Sequence, residues 1–295
     1  MKSALLAVAF LGVGCGISSG EVGVNDDVLA DDSAELSTTK DTFLIARRDL
    51  RRCLWPMCGG YWVKDLNSTM QERYVSGLDF SGSTLSEAAQ EQALGAPDFQ
   101  LVLEGRLGKK ESRFDTRPLS VIAAYRGMPG KTFAATDKFY SVLPTKIGCL
   151  SQPCASLQTT RLNRTTGHTM ATDVTVARAL ATMVDEPWLQ GRVLTNRAIV
   201  AGHIVRSGGH VTVDASQVFV SLPDRVAACP APASYSCASG KIRSYERTSD
   251  RCTVRVGCTY PGACAPFEPL CEEGYSIVSW QNICPRHACE PSFLQ

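Results

Sequence analysis

The sequence predicts an α+β protein built from two tandem, duplicated antiparallel β-sheet units, each with one helix, followed by a disulfide-rich irregular or β C-terminal module. Three observations predict it. Short runs of β-branched and aromatic residues recur between turn residues and are interrupted once per series by a helix-forming stretch. An offset of 96 residues carries Cys53 to Cys149, Cys58 to Cys154, Asn67 to Asn163 and Phe43 to Phe139. Finally, eight of the 13 cysteines crowd into 229–289, where prolines replace the long apolar runs.

The chain opens with a basic start at Lys2 and an apolar run from Ala4 to Val13, the length of a signal-peptide core and too short to span a bilayer. Leu11-Gly12-Val13-Gly14-Cys15 resembles a bacterial lipobox, with Gly12 where that pattern prefers leucine. Residues 1–14 are therefore expected to be a lipoprotein signal peptide, and Cys15 the site of lipid attachment. The alternative is an ordinary signal peptide cleaved elsewhere. Gly16 stands where aspartate favours inner-membrane retention in lipoproteins of this kind, which points to the outer membrane. Residues 15–41 carry Glu21, Asp26, Asp27, Asp31, Asp32 and Glu35, and no aromatic before Phe43. Such a stretch has too little apolar surface to offset its ordering entropy and reads as an acidic tether.

The first unit, 42–128, begins with a β-rich stretch, Thr42–Ala46. Strands are expected at Gly60–Val63 and Tyr74–Phe80, and a capping box at Thr84-Leu85-Ser86-Glu87 opens a helix that Gly95 stops. Phe99–Leu107 and Leu119–Tyr125 complete it. In the second unit, 139–225, the helix is expected over Val174–Asp185, ending near Pro187, with strands at Ala198–Val205 and Val218–Leu222. Leu103-Glu104-Gly105-Arg106 aligns with Val200-Ala201-Gly202-His203 after a one-residue shift. Asn67-Ser68-Thr69 and Asn163-Arg164-Thr165 both read Asn-x-Thr, and the asparagines are expected to be turn formers that cap local backbone.

Apart from Cys15, twelve cysteines are available for six disulfides: Cys53, Cys58, Cys149, Cys154, Cys229, Cys237, Cys252, Cys258, Cys264, Cys271, Cys284 and Cys289. That usage fits an oxidising compartment. Extended, Cys53-x4-Cys58 would separate its α-carbons by roughly 17 Å, whereas a disulfide needs about 5–6 Å. A local pair therefore demands a tight turn, and pairing across the two units is the alternative. In the module 226–295 the connectivity stays open, and Gly274–Trp280 is the one strand expected.

Arg47-Arg48-Asp49-Leu50-Arg51-Arg52-Cys53 and Pro56-Met57-Cys58-Gly59-Gly60-Tyr61 resemble the signature of a family of secreted bacterial lipoproteins defined by a domain of unknown function. Cys149-Leu-Ser-Gln-Pro-Cys154 resembles its companion element. The resemblance spans about 42–225. It implies export and a disulfide-bonded domain, and carries no catalytic residues with it.

The charge is nearly balanced, with 30 Lys and Arg against 29 Asp and Glu, which argues against a nucleic-acid partner. None of the four histidines, His168, His203, His210 and His287, has metal-ligand spacing, so no metal or other cofactor is expected. Gly16-Ile17-Ser18-Ser19-Gly20 lies in the tether and lacks the strand and helix that a nucleophile elbow needs. Gly130-Lys131-Thr132 lacks the first glycine of a phosphate loop. The densest cationic cluster, Arg47, Arg48, Arg51 and Arg52, is the candidate contact for an anion or a partner. The expectation is a non-enzymatic binding or structural protein of the cell envelope, joined to the membrane through acylated Cys15 and meeting an envelope polysaccharide or protein. The alternative is a secreted protease inhibitor presenting a loop such as Tyr260–Ala263, and a secreted hydrolase ranks third.

Overall fold

A computed structural model describes residues 40–110, 116–148, 153–164, 167–224, 229, 235–264 and 269–294. The expectations for the signal peptide, for Cys15, for the tether up to residue 39 and for Cys149 lie outside the described residues.

The first half contains β1 (Thr42–Arg48), β2 (Tyr61–Asp65), β3 (Arg73–Val75), β4 (Leu78–Asp79), α1 (Glu87–Leu94), β5 (Leu101–Leu107) and β6 (Leu119–Gly127). The second contains β7 (Lys138–Pro144), β8 (Leu157–Arg161), β9 (His168–Ala171), β10 (Asp173–Thr175), α2 (Glu186–Leu194), β11 (Ala198–Ser207) and β12 (His210–Leu222). These strands form one twelve-stranded sheet rather than two small ones. Its order is β3-β2-β1-β5-β6-β12-β11-β7-β8-β9, with β4 parallel to β6 and β10 parallel to β12. The order reads alike from either end. The seam is antiparallel, with Phe219 opposite Gly127 and Leu222 opposite Ala124. Joining β6 to β12 covers two strand edges that separate sheets would leave open to pairing.

Both faces of the sheet are buried near its centre. Side chains alternate along β1, so Leu44 and Ala46 pack with Ala89 and Ala93 of α1, while Ile45 faces the other way. On that second face Ile45, Val102, Phe139, Ile199 and Phe219 make a core shared by both halves. Trp188, Leu189 and Val193 of α2 cover Tyr140, Val142, Val200 and Val218.

Both helices start later than the sequence pattern suggested. At α1 the cap is Ser86, whose hydroxyl accepts from the Ala89 amide, rather than Thr84; Gly95 ends the helix as expected. In the second half, Val174–Asp185 is not a helix. It holds β10 and a 3-10 turn at Ala177–Ala179, because Val174, Thr175 and Val176 are β-branched and suit an extended backbone. Asp185 caps α2 by accepting from the Trp188 amide, and Pro187 sits in the first turn, where a missing N–H forfeits no hydrogen bond. Pro187 thus opens the helix that it was expected to close.

The described residues of the C-terminal region hold four strands where one was expected: β13 (Ile242–Arg247), β14 (Thr253–Thr259), β15 (Tyr275–Gln281) and β16 (Pro285–Pro291). They form two hairpins, β13–β14 and β15–β16. Each is stapled by two interleaved disulfides, Cys229–Cys252 with Cys237–Cys258, and Cys264–Cys284 with Cys271–Cys289. Loops of about 20 residues closed in this way contribute about 3 kcal/mol each in the chain-entropy account. The pair Cys284-x4-Cys289 therefore does not close locally, unlike Cys53–Cys58, whose α-carbons are 5.6 Å apart. Cys154 is also disulfide-bonded.

The hairpins pack on the second half. The Cys289 amide donates to the Met183 carbonyl at 2.9 Å, and the Tyr275 hydroxyl to the Pro129 carbonyl at 3.1 Å. Asp224, whose side chain is fully buried, accepts from Arg192 at 2.6 Å, Arg197 at 3.0 Å and the Trp188 indole at 3.2 Å, with Arg251 of the β13–β14 turn 3.4 Å away. A buried carboxylate needs such a set of donors to offset its lost hydration.

Candidate functional site

The cationic cluster follows β1 and leads into the Cys53–Cys58 loop. Three of its four arginines are held by neighbours. Arg47 makes a bidentate contact with Glu72, at 2.6 Å for the closer pair of atoms, and lies 5.5 Å from the Trp62 ring centre. Arg51 grips Asp49 with two nitrogens, stacks 4.9 Å from Trp62, and donates to the Met57 carbonyl. Arg48 donates its amide to Asp98 and its guanidinium to the Leu94 carbonyl, without an ion pair. Arg52 is exposed and unpaired among the described residues. The grip of Arg51 holds the Asp49 carboxyl down at about 2. Much of the predicted anion contact is thus engaged within the fold, leaving Arg52 free and Arg48 without a counter-ion.

Those contacts fix the loop from behind. Its backbone turns where the Met57 amide donates to the Leu54 carbonyl, and Tyr74 donates its hydroxyl to the Pro56 carbonyl at 2.9 Å. Pro56 and Cys58 point inward and are buried; Leu54 and Trp55 point outward and are 80% and 68% exposed.

A second site was not visible in the sequence. Between the halves lies a groove of about 520 Å³ with Ile45, Leu66 and Phe139 in its floor, and Phe99 and Phe133 along its wall. Lys64, Lys138, Arg161 and Arg164 also line it, together with the carboxylates of Asp65, Glu72 and Asp137, of which Glu72 is paired with Arg47 and Asp137 accepts from Ser216. Arg164 donates to the Asn67 carbonyl at 2.7 Å. Lys64 and Lys138 make no ion pair among the described residues, and the Arg161 Nε is buried without a hydrogen-bond partner. Phe99, a residue 43% exposed, is held in the left-handed region at φ 60°, a conformation that costs a non-glycine residue about 1–3 kcal/mol. Residues from both halves meet here only after folding, so no local pattern announced the groove.

Asn67 and Asn163 frame it, each in the left-handed conformation expected of a turn former. Among the described residues their side chains bond distant rather than local backbone. Asn67 accepts from the Phe139 amide and donates to the Phe139 and Leu162 carbonyls; Asn163 does the same with Phe43 and Leu66.

One polar cluster joins the groove to β11 and β12. The Ser216 hydroxyl donates to Asp137 at 2.6 Å, while His203 stands 3.9 Å from Asp137 and 3.7 Å from Asp214. The serine proton is directed at a carboxylate rather than at an imidazole, so the cluster does not have the relay of a nucleophilic site. No group of three or more metal-ligating side chains occurs among the described residues.

Fold and cysteine chemistry together define a disulfide-rich α+β protein of an extracellular or exported kind, with eleven bonded cysteines among the described residues. No helix among those residues is long and apolar enough to cross a membrane. The chain belongs to the family described as Domain of unknown function (DUF6748), which matches residues 42–204, just over half its length. It is also similar to an uncharacterised protein of Dictyostelium discoideum, 25% identical over 252 residues that cover 82% of this chain and 84% of that relative. No solved structure matches.

Proposed function

We propose that the chain is a non-enzymatic binding protein of the cell envelope, anchored in the outer membrane through acylated Cys15, and that its groove takes an acidic saccharide. The observation that carries this reading is the Arg161 Nε, buried in the groove wall with nothing to donate to, beside the unpaired Lys64 and Lys138. An orphaned buried donor is costly and is relieved by an anionic ligand. Phe99 and Phe133 supply apolar faces against which a sugar ring packs. The two halves are read as copies of one ancestral unit; the mirrored strand order and the exchanged asparagine contacts support that reading.

Titration calorimetry with uronic-acid oligosaccharides and their neutral counterparts tests the groove. Charged ligands are expected to bind, and Arg161→Ala to weaken them at least about tenfold, the scale of one charge-assisted hydrogen bond. Equal binding of charged and neutral sugars, or no loss in the variant, overturns the reading. Intact mass of the exported protein tests the anchor: acyl chains on Cys15 support it, and a mature chain beginning elsewhere removes it.

A second reading, protease inhibition, draws on Tyr260, which is 65% exposed between the disulfide-bonded Cys258 and Cys264. A rigid loop binds with little ordering loss. Failure of the full chain to slow any member of a broad protease panel would remove this reading.

A further inference from the structure

We infer that the Cys53–Cys58 loop is a docking tip for an anionic bilayer surface. Leu50, Leu54, Trp55 and Met57 lie within eight residues and are 80, 80, 68 and 46% exposed. Single exposed leucines are ordinary; four large apolar side chains gathered on one tip mark a contact surface. Trp188 is buried and Trp62 and Trp280 are partly covered, so Trp55 is the tryptophan that the fold leaves in water.

The tip is preorganised. Cys53–Cys58 closes it, Tyr74 and Arg51 bind its backbone, and Pro56 and Cys58 take its inward positions. The display of Leu54, Trp55 and Met57 therefore needs little ordering on contact.

Charge selects the occupant. Of the three carboxylates at the base of the tip, Asp49 and Glu72 are neutralised by Arg51 and Arg47, and Asp98 accepts from the Arg48 amide. Arg48 and Arg52 make no ion pair. Exposed apolar side chains next to the unpaired Arg52, with Arg48 lacking a counter-ion close by, suit a headgroup layer: indole and leucine enter the acyl boundary, and the Arg52 guanidinium reaches lipid phosphates. An apolar groove on a protein would take the same side chains but leave those cations without partners. The inference is independent of what the long groove binds.

The test uses the mature full-length chain with vesicles of phosphatidylglycerol or phosphatidylcholine carrying brominated acyl chains, which quench only tryptophans that enter them. Reading quenching, rather than co-sedimentation, separates the tip from any acyl anchor. The expected result is a blue-shifted Trp55 emission and its loss in phosphatidylglycerol, with little change in phosphatidylcholine. Trp55→Phe should abolish the quenching, and Leu54→Ser with Arg52→Ser should reduce it several-fold while melting at the wild-type temperature. Equal quenching in the two lipids, equal quenching of wild type and Trp55→Phe, or no quenching at all overturns the proposal.

Discussion

Asn67 and Asn163 exchange partners across the molecule: each side chain binds the first strand of the half to which it does not belong. Asn67 bonds both backbone groups of Phe139 at 2.8 and 2.9 Å, and Asn163 bonds both of Phe43 at 2.7 and 2.8 Å. An amide is the one side chain that offers an acceptor and two donors on so short a stem, and asparagine also tolerates the left-handed backbone that both positions adopt.

The clamp predicts that Asn67→Ala and Asn163→Ala each cost about 1–3 kcal/mol, since both strand the amide and carbonyls that they serve. Asn→Gly at either position keeps the backbone conformation but should lose nearly as much. Urea unfolding of the four variants separates the contributions of backbone and amide. A glycine variant as stable as wild type would show that only the left-handed conformation matters.

These two positions illustrate how far sequence carried. The 96-residue offset singled them out, and the left-handed turn follows from residue type. Their partners lie 72 to 120 residues away, and nothing in a linear pattern says which backbone a turn asparagine will meet. The β-rich run Thr42–Ala46 exposed β1 clearly, because both its faces are apolar. The pattern places α2 too early because a proline ordinarily ends a helix, whereas Asp185, two residues before Pro187, makes that proline part of a start. The cysteine count marked the tail as stapled, but its four strands are masked by short apolar runs in which disulfides replace a core. The groove combines β2, β7 and β8 with the segments beside them, and only the assembled sheet brings these together.

The glycines that aligned between the halves, Gly105 and Gly202, occupy matching irregularities in the β5–β6 and β11–β12 pairings. A Cβ at Gly105 would lie 2.4 Å from the Ser120 carbonyl oxygen, and one at Gly202 would lie 2.1 Å from that of Asp214. Backbone cannot swing aside as a flexible side chain does. Gly105→Ala and Gly202→Ala should each destabilise by about 2–3 kcal/mol, at the upper end of overpacking costs, with a lowered urea midpoint as the readout. Wild-type midpoints would mean that the two bulges relax freely.

Asp224 is the point at which the second half and the tail are joined. Its buried carboxylate binds Arg192 and Arg197 from within the sheet half and lies beside Arg251 of the β13–β14 hairpin. Asp224→Ala leaves buried guanidinium groups without their counter-charge, and a loss of about 3–5 kcal/mol is expected. Hydrogen exchange should show β11 and β13 losing protection together. A variant in which β13 alone opens would place the joint elsewhere, at Arg247 and Asp185.

Asp49 ties loop stability to acid. Its pKa is lowered from 3.8 to about 2, chiefly by the Arg51 guanidinium. Because the folded value is depressed, the stabilising contribution is complete above the unfolded value and declines as the pH falls through the folded one. The Asp49–Arg51 pair should therefore survive mild acid and fail only as the pH approaches about 2. Carbon-detected NMR of the Asp49 carboxyl should give a midpoint well below that of an exposed aspartate. Arg51→Ala should bring that midpoint back up towards the ordinary range, and should loosen the turn that the same guanidinium holds through the Met57 carbonyl. Trp55 emission then becomes the second readout, since its fixed outward display rests on that turn. An unshifted Asp49 in wild type would mean that the pair does not form in solution, and that Cys53–Cys58 and Tyr74 hold the loop without it.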